Sequence, residues 1–323
     1  MKRFFLKFFA CLLALLLPCA AYFWYQQQFP AVYNGTFMGA VPVKLHILQE
    51  TPSPKVVILS GSSGPYAIEA ETMERALGMP CVVDGAVAAI GMEFCLSLAQ
   101  DEIGPGDIVI VEPEFLMWAG ERSYTTVWCC IQNYYELYRY VPLSYWPDMI
   151  SYYYDYVRQR NSNFSRSTPE TDLMEGYLLR HFGPRGDLLW ERGLMLEHGY
   201  MVDEITAVAP ELLDMDTMRV LNRFVRKMQA RGAQVYVNFA PYARAAVSTG
   251  PEEIAAFEQK VIDTCDAPVI SRLEDSLVES RYLCDTNNHL NSEGASIYTR
   301  MLLQNLAGAG VSVDWDALET IPE

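Results

Sequence analysis

Lys55-Val56-Val57-Ile58-Leu59-Ser60-Gly61-Ser62-Ser63-Gly64-Pro65 is the stretch on which the fold turns. Its first half is an apolar run of strand length, rich in β-branched residues. Gly61 then allows a sharp turn, and Gly64-Pro65 leads into the helix-like Ala67–Leu77. A strand, a tight turn and a helix in that order place Ser62 at the carboxyl edge of a sheet. There, backbone N–H groups favour a developing negative charge.

Working outward, strand-like runs at Lys55–Ser60, Pro80–Asp84, Asp107–Glu112, Ala233–Phe239 and Pro268–Ser271 alternate with helical patterns. The helices read as Ala67–Leu77, Ala88–Gln100, Thr217–Arg231, Glu252–Thr264 and Ser292–Ala307. Such alternation predicts an α/β protein: a three-layer α/β/α domain around a mostly parallel five-stranded sheet. Gly232 sits where a helix C-cap is expected. Ligand sites in parallel sheets lie at the strands' carboxyl ends, where Ser62, Gly85, Glu114 and Asn238 all fall.

A second segment, Asp285-Thr286-Asn287-Asn288-His289-Leu290-Asn291, precedes the C-terminal helix, with Asn291 as its N-cap. A serine hydroxyl is a poor nucleophile until a histidine takes its proton, and the histidine needs a third group to fix its tautomer. The chain holds four histidines, and only His289 has a carboxylate, Asp285, in such a setting.

With Ser60-Gly61-Ser62-Ser63, Tyr66-Ala67-Ile68, Ala88-Ala89-Ile90-Gly91, Gly106–Val111 and Pro113-Glu114-Phe115, these two blocks resemble the SGNH (GDSL-like) hydrolase superfamily. The likeness is closest to membrane-anchored bacterial proteins that modify envelope polymers. It implies an SGNH/flavodoxin-like layout, Ser62 as nucleophile, His289 as base and Asp285 as its orienting acid. A Gly-Asp-Ser alignment would choose Ser63 instead. The resemblance also implies two oxyanion donors beyond the serine amide. Gly85 matches the first; the second, an asparagine after strand three, is replaced by Val111-Glu112-Pro113-Glu114, and Asn238 is the substitute candidate. The implied activity is an esterase or O-acyltransferase acting on an acylated envelope glycan or polymer, with no cofactor. The alternative is a catalytically inactive binding or assembly protein that keeps the fold.

Glu112 and Glu114, at alternate strand positions, would share a face and suit acid–base work or a metal, with Asp107 the one further ligand-type residue nearby. No His-rich or Cys-rich ligand spacing accompanies them, so no metal is expected. Cys81 and Cys95 read as buried thiols, whereas Cys265 and Cys284 flank one strand and are open to bridging.

Lys2, Arg3 and Lys7 precede the apolar Phe8–Tyr25, long enough to cross a bilayer. Residues 1–27 therefore read as a cytoplasmic start and an uncleaved transmembrane anchor, and residues 28–323 as an extracytoplasmic domain in the cell membrane. A signal peptide cleaved near Ala20-Ala21 is the alternative. A formal charge of −16 excludes nucleic acid as a natural partner. Between about 118 and 215 the pattern changes to an aromatic-rich helical insertion, including Tyr134-Tyr135, Tyr145-Trp146 and Tyr152-Tyr153-Tyr154, followed by the polar Asn161–Thr171 loop. Such a segment serves as the core of a subdomain, a lid, or a surface for sugar, membrane or a protein partner.

Overall fold

The run at 56–60 forms β1 (Val56–Ser60), whose five residues are all buried. The fold comes from a computed structural model, which describes residues 1–29, 33–85, 87–164, 177–193 and 205–319. Strand β1 pairs in parallel with β2 (Cys81–Gly85) on one side and β3 (Ile108–Glu112) on the other, with Ser60 opposite both Gly85 and Glu112. Strand β4 (Gln234–Val237) joins β3 in parallel, giving the order β2-β1-β3-β4. Among the described residues this sheet has four strands, not the five expected. Pro268–Ser271 lies where the fifth would be but makes a single parallel bridge, Val237 to Val269. The reason is local: the next amide, Phe239 N–H, is taken by the Ser271 hydroxyl at 2.8 Å instead of by main chain.

Both faces of the sheet are covered, which is why its strands are continuously apolar rather than alternating. Val57, Leu59, Val109 and Val111 join one buried cluster with α2 (Ala40–Glu50), α5 (Met92–Ala99) and, further along, α9 (Met215–Ala230). Val56, Ile58, Ile108 and Ile110 join another with α4 (Ala70–Leu77) and α11 (Ser292–Gly308). Between β1 and α4 the chain makes one short helix, α3 (Ser63–Ala67). Helix α10 (Pro251–Thr264) precedes the 268–271 segment, and Asn291 caps α11 by accepting from Gly294 N–H at 2.9 Å.

Helix α6 (Phe115–Trp118) leads into the aromatic insertion, which holds α7 (Tyr124–Ile131) and α8 (Trp146–Phe164). Residues 161–164 of the expected polar loop continue α8, and 165–171 lie outside the described residues. Trp128 is the hub, with Tyr153, Tyr138 and Tyr156 rings 5.0, 5.9 and 5.9 Å away and its indole N–H donated to Met149 O at 2.7 Å. Much of the aromatic content is thus subdomain core, leaving Leu143, Ile150 and Tyr154 exposed.

Helix α1 (Lys2–Gln26) is long and apolar enough to cross a membrane. Its C-terminal end is built into the insertion: Phe23 stands 5.3 Å from the Tyr153 ring, and the buried Gln26 receives Arg160 Nη1 on its carbonyl at 2.9 Å. All eight cysteines are free thiols, so Cys265 and Cys284 are not bridged; Cys81 and Cys95 are buried, and burial pushes both thiols up.

Candidate active site

Order reversal in the sheet occurs between β1 and β3, since the chain leaves β1 toward β2 on one side and returns to β3 on the other. Crevices outside the carboxyl ends of strands at such a point bind ligands. Ser62 leaves β1 here and Glu114 leaves β3 here. Gly85 ends β2 beside them, so close that a Cβ on it would strike Ser60 Oγ and Gly61 O. Glycine at 85 is therefore a packing requirement, as at Gly61, where a Cβ would meet the Glu114 carboxylate and stand 2.6 Å from Ala88 Cβ.

Ser62 is half-buried, whereas Ser63 is fully buried with its hydroxyl lacking a hydrogen-bond partner among the described residues. Accessibility thus separates the two serines and leaves Ser62 as the one a substrate can reach. The last-helix loop comes to the same edge of the sheet. Asn288 Nδ2 points to Ser62 Oγ at 3.5 Å, at the outer limit of a hydrogen bond.

The loop itself is a closed turn. Cys284 N–H donates to His289 O at 2.8 Å, and Leu283 bridges Leu290 in antiparallel fashion. This brings Asp285 Oδ1 to 2.9 Å from His289 Nδ1. The Tyr177 hydroxyl donates to Asp285 Oδ2 at 2.6 Å. Burial pushes the Asp285 carboxyl up, but the His289 bond and charge, the Tyr177 hydroxyl and the Thr286 amide outweigh it and hold the group below its ordinary range. A carboxylate on Nδ1 fixes the tautomer that leaves Nε2 to accept a proton. That Nε2 is buried and has no hydrogen-bond partner among the described residues. The Tyr66 ring stacks on the imidazole at 3.8 Å and 6°. Beneath, Arg192 ties Tyr66 O to Leu290 O, with Nη2 at 2.5 Å from the first and Nε at 2.8 Å from the second.

Ser62 and His289 are therefore brought to one edge without a direct bond between them.

The other sequence candidates divide. Glu114 Oε1 accepts the Ser63 N–H at 2.8 Å, placing a carboxylate at the turn. Asn238 is not an oxyanion donor: its amide is buried and donates to Glu112 Oε1 at 2.6 Å, with Tyr298 Oη at 2.9 Å. Glu112 and Glu114 do not form a pair on one face. Strand β3 ends at Glu112, and after Pro113 the two carboxyls engage different partners. Burial pushes Glu112 up to about 7 against its hydrogen bonds from Tyr298 and Asn238. Asp107 lies at the opposite end of β3, accepting from the Lys55 and Gly104 amides at 2.9 and 2.8 Å. Among the described residues no group of three or more His, Cys, Asp or Glu is placed to hold a metal ion.

Tyr177, Asn288 and Lys44 are participants that the sequence reading did not single out. Lys44 is buried, donates its ammonium to Gly85 O, and sits 4.7 Å over the Phe182 ring. Burial pulls its pKa down, countered by Asp84 and Asp187. Tyr66 had a readable signal, four residues after Ser62 and hence on its face of a helix; Tyr177, more than a hundred residues from Asp285, had none.

No family model matches this chain, and a search of curated proteins finds no match.

Proposed function

We propose that the chain is a membrane-anchored, extracytoplasmic serine esterase or O-acyltransferase of SGNH-like, flavodoxin-like layout, acting on acyl esters of a cell-envelope glycan or polymer. The observation that carries the reading is the oriented Asp285–His289 pair whose Nε2 has no hydrogen-bond partner among the described residues, at the sheet edge that also presents the half-buried Ser62. Lys2, Arg3 and Lys7 ahead of α1 support an inside start and an outside domain.

In this reading Ser62 Oγ attacks the ester carbonyl carbon while its proton passes to His289 Nε2, and Asp285 holds the resulting imidazolium. The oxyanion lies against the Ser62 and Gly85 amides. Collapse breaks the carbon–oxygen bond, and the departing alcohol takes the proton from His289. Water or an acceptor hydroxyl then attacks the acyl-serine by the same route.

One observation favours a second reading, a non-catalytic envelope-binding protein: Glu114 occupies the Ser63 amide and puts a carboxylate where an oxyanion donor would be useful. Labelling of the full chain in nanodiscs by a fluorophosphonate separates the two. Labelling that disappears in Ser62→Ala supports the esterase. Absence of labelling in folded wild type supports the binding protein, and labelling that persists in Ser62→Ala but vanishes in Ser63→Ala overturns the choice of serine.

A further inference from the structure

Beside the candidate nucleophile lies a pocket of about 460 Å³ between α6 and the segment 205–212. It adjoins the site directly, because Glu114 and Asn288, which touch the Ser63 amide and the Ser62 hydroxyl, are also part of its wall. Away from that edge the lining turns apolar, with Phe115, Leu116, Trp118, Val208, Leu212 and Phe257. Phe115 is fixed edge-on against the Tyr242 ring at 4.9 Å and the Phe257 ring at 6.3 Å.

The polar groups in that wall are largely committed to one another. Asn287 Nδ2 donates to Tyr242 Oη at 3.1 Å, Tyr242 Oη and Thr206 Oγ1 are 2.6 Å apart, and Thr286 Oγ1 donates to Asn288 Oδ1 at 3.0 Å. A sugar ring placed against that wall would find few free protein partners for its hydroxyls. An aliphatic chain needs none. The lining holds carboxylates, Glu114 and Glu121, and no Lys or Arg, so an anionic ligand is disfavoured as well. An acetyl methyl takes about the space of one water, roughly 30 Å³, and would leave the pocket nearly unused.

We infer that this pocket binds the acyl half of the ester, as an uncharged aliphatic chain several carbons long, and that the glycan lies outside it. The inference rests on the esterase reading for the word ester, but the pocket's preference is measurable without turnover.

The test uses the full chain with Ser62→Ala in nanodiscs, with empty nanodiscs as the blank, and compares two amides that are not cleaved, N-octanoylglucosamine and N-acetylglucosamine, by saturation-transfer NMR. Burial of each methylene tightens binding about fourfold, so the octanoyl compound is expected to bind at least about tenfold tighter than the acetyl compound. Ala207→Trp, which fills the pocket from a residue outside the catalytic set, should remove that difference while circular dichroism shows the fold intact. Equal binding of the two compounds, no binding of either, or an octanoyl preference that survives Ala207→Trp in folded protein overturns the pocket assignment. Fluorophosphonate labelling of the chain with Ser62 present reports separately on the esterase, so either reading can fail with the other standing.

Discussion

Replacing Glu112 by glutamine tests whether a buried acid at the end of β3 is kept neutral. The carboxyl is fully buried; its Oε1 lies 2.6 Å from Asn238 Nδ2 and 2.8 Å from Tyr298 Oη, and its Oε2 has no partner among the described residues. The Tyr298 hydroxyl has one proton and two acceptors in range, Glu112 Oε1 and Phe239 O at 2.6 Å. A proton on Glu112 resolves the conflict: the acid donates to Tyr298 Oη, and Tyr298 donates to Phe239 O. Burial accordingly raises the group from 4.5 to about 7. Between those values the folded chain holds a proton that the unfolded chain has released, so this contribution to stability is full below pH 4.5 and is lost as pH rises through 7. Integrated from pH 5 to pH 8, the loss is about 2–3 kcal/mol. Glutamine carries no titrating proton, so its stability relative to wild type should improve by about that amount over the same interval. Its absolute stability is a separate matter, because the amide nitrogen inherits the unpartnered Oε2 position. The assay is urea unfolding of the full chain in a nonionic detergent, followed by tryptophan fluorescence at both pH values. A difference between Glu112→Gln and wild type that is the same at pH 5 and pH 8 refutes the reasoning.

Two further outcomes concern the site. Tyr177→Phe removes a charged hydrogen bond from Asp285, worth about 1.5–3 kcal/mol, and should raise the Asp285 pKa; any Ser62-dependent labelling rate should then fall more at pH 5 than at pH 8, and a uniform fall across pH would show that Tyr177 only packs. Ser63→Ala deletes a buried hydroxyl without a partner, so labelling should persist and stability, measured by the same urea assay, should stay within about 1 kcal/mol of wild type; loss of labelling in folded Ser63→Ala would transfer the nucleophile's role to that residue.

The architecture was legible where local rules and tertiary needs coincide. The 55–65 stretch reads as strand, turn and helix because apolar β-branched residues, then glycine, then small helix-entry residues each favour the state they occupy. The Asn291 cap was readable for the same reason, its short side chain matching the first exposed amides of α11. The fifth strand failed because its pairing was settled by a side chain, Ser271 replacing main chain at Phe239 N–H, which no propensity records. Glu112 and Glu114 failed as a pair because period-two reasoning holds only inside a strand, and β3 stops at Glu112. Asn238 was placed at the correct strand end but assigned to solvent-facing chemistry; its partner Tyr298 lies 60 residues later in sequence, on α11.

Those two glutamates account for much of what distinguishes the site. Glu112 is the last residue of β3 and Glu114 lies two positions on, and the two receive opposite environments from a single turn. Glu112 is sealed under α11, where desolvation outweighs its hydrogen bonds and pushes the carboxyl up. Glu114 stays half-buried and takes an amide from the turn that carries Ser62. By accepting from Ser63 N–H it anchors that turn, and by the same bond it withdraws one amide from any oxyanion on the esterase reading proposed above. Lys44, donating to Gly85 O, helps to hold the end of β2 in place. On the esterase reading proposed above, a carboxylate this close to the turn opposes negative charge developing at the ester carbonyl.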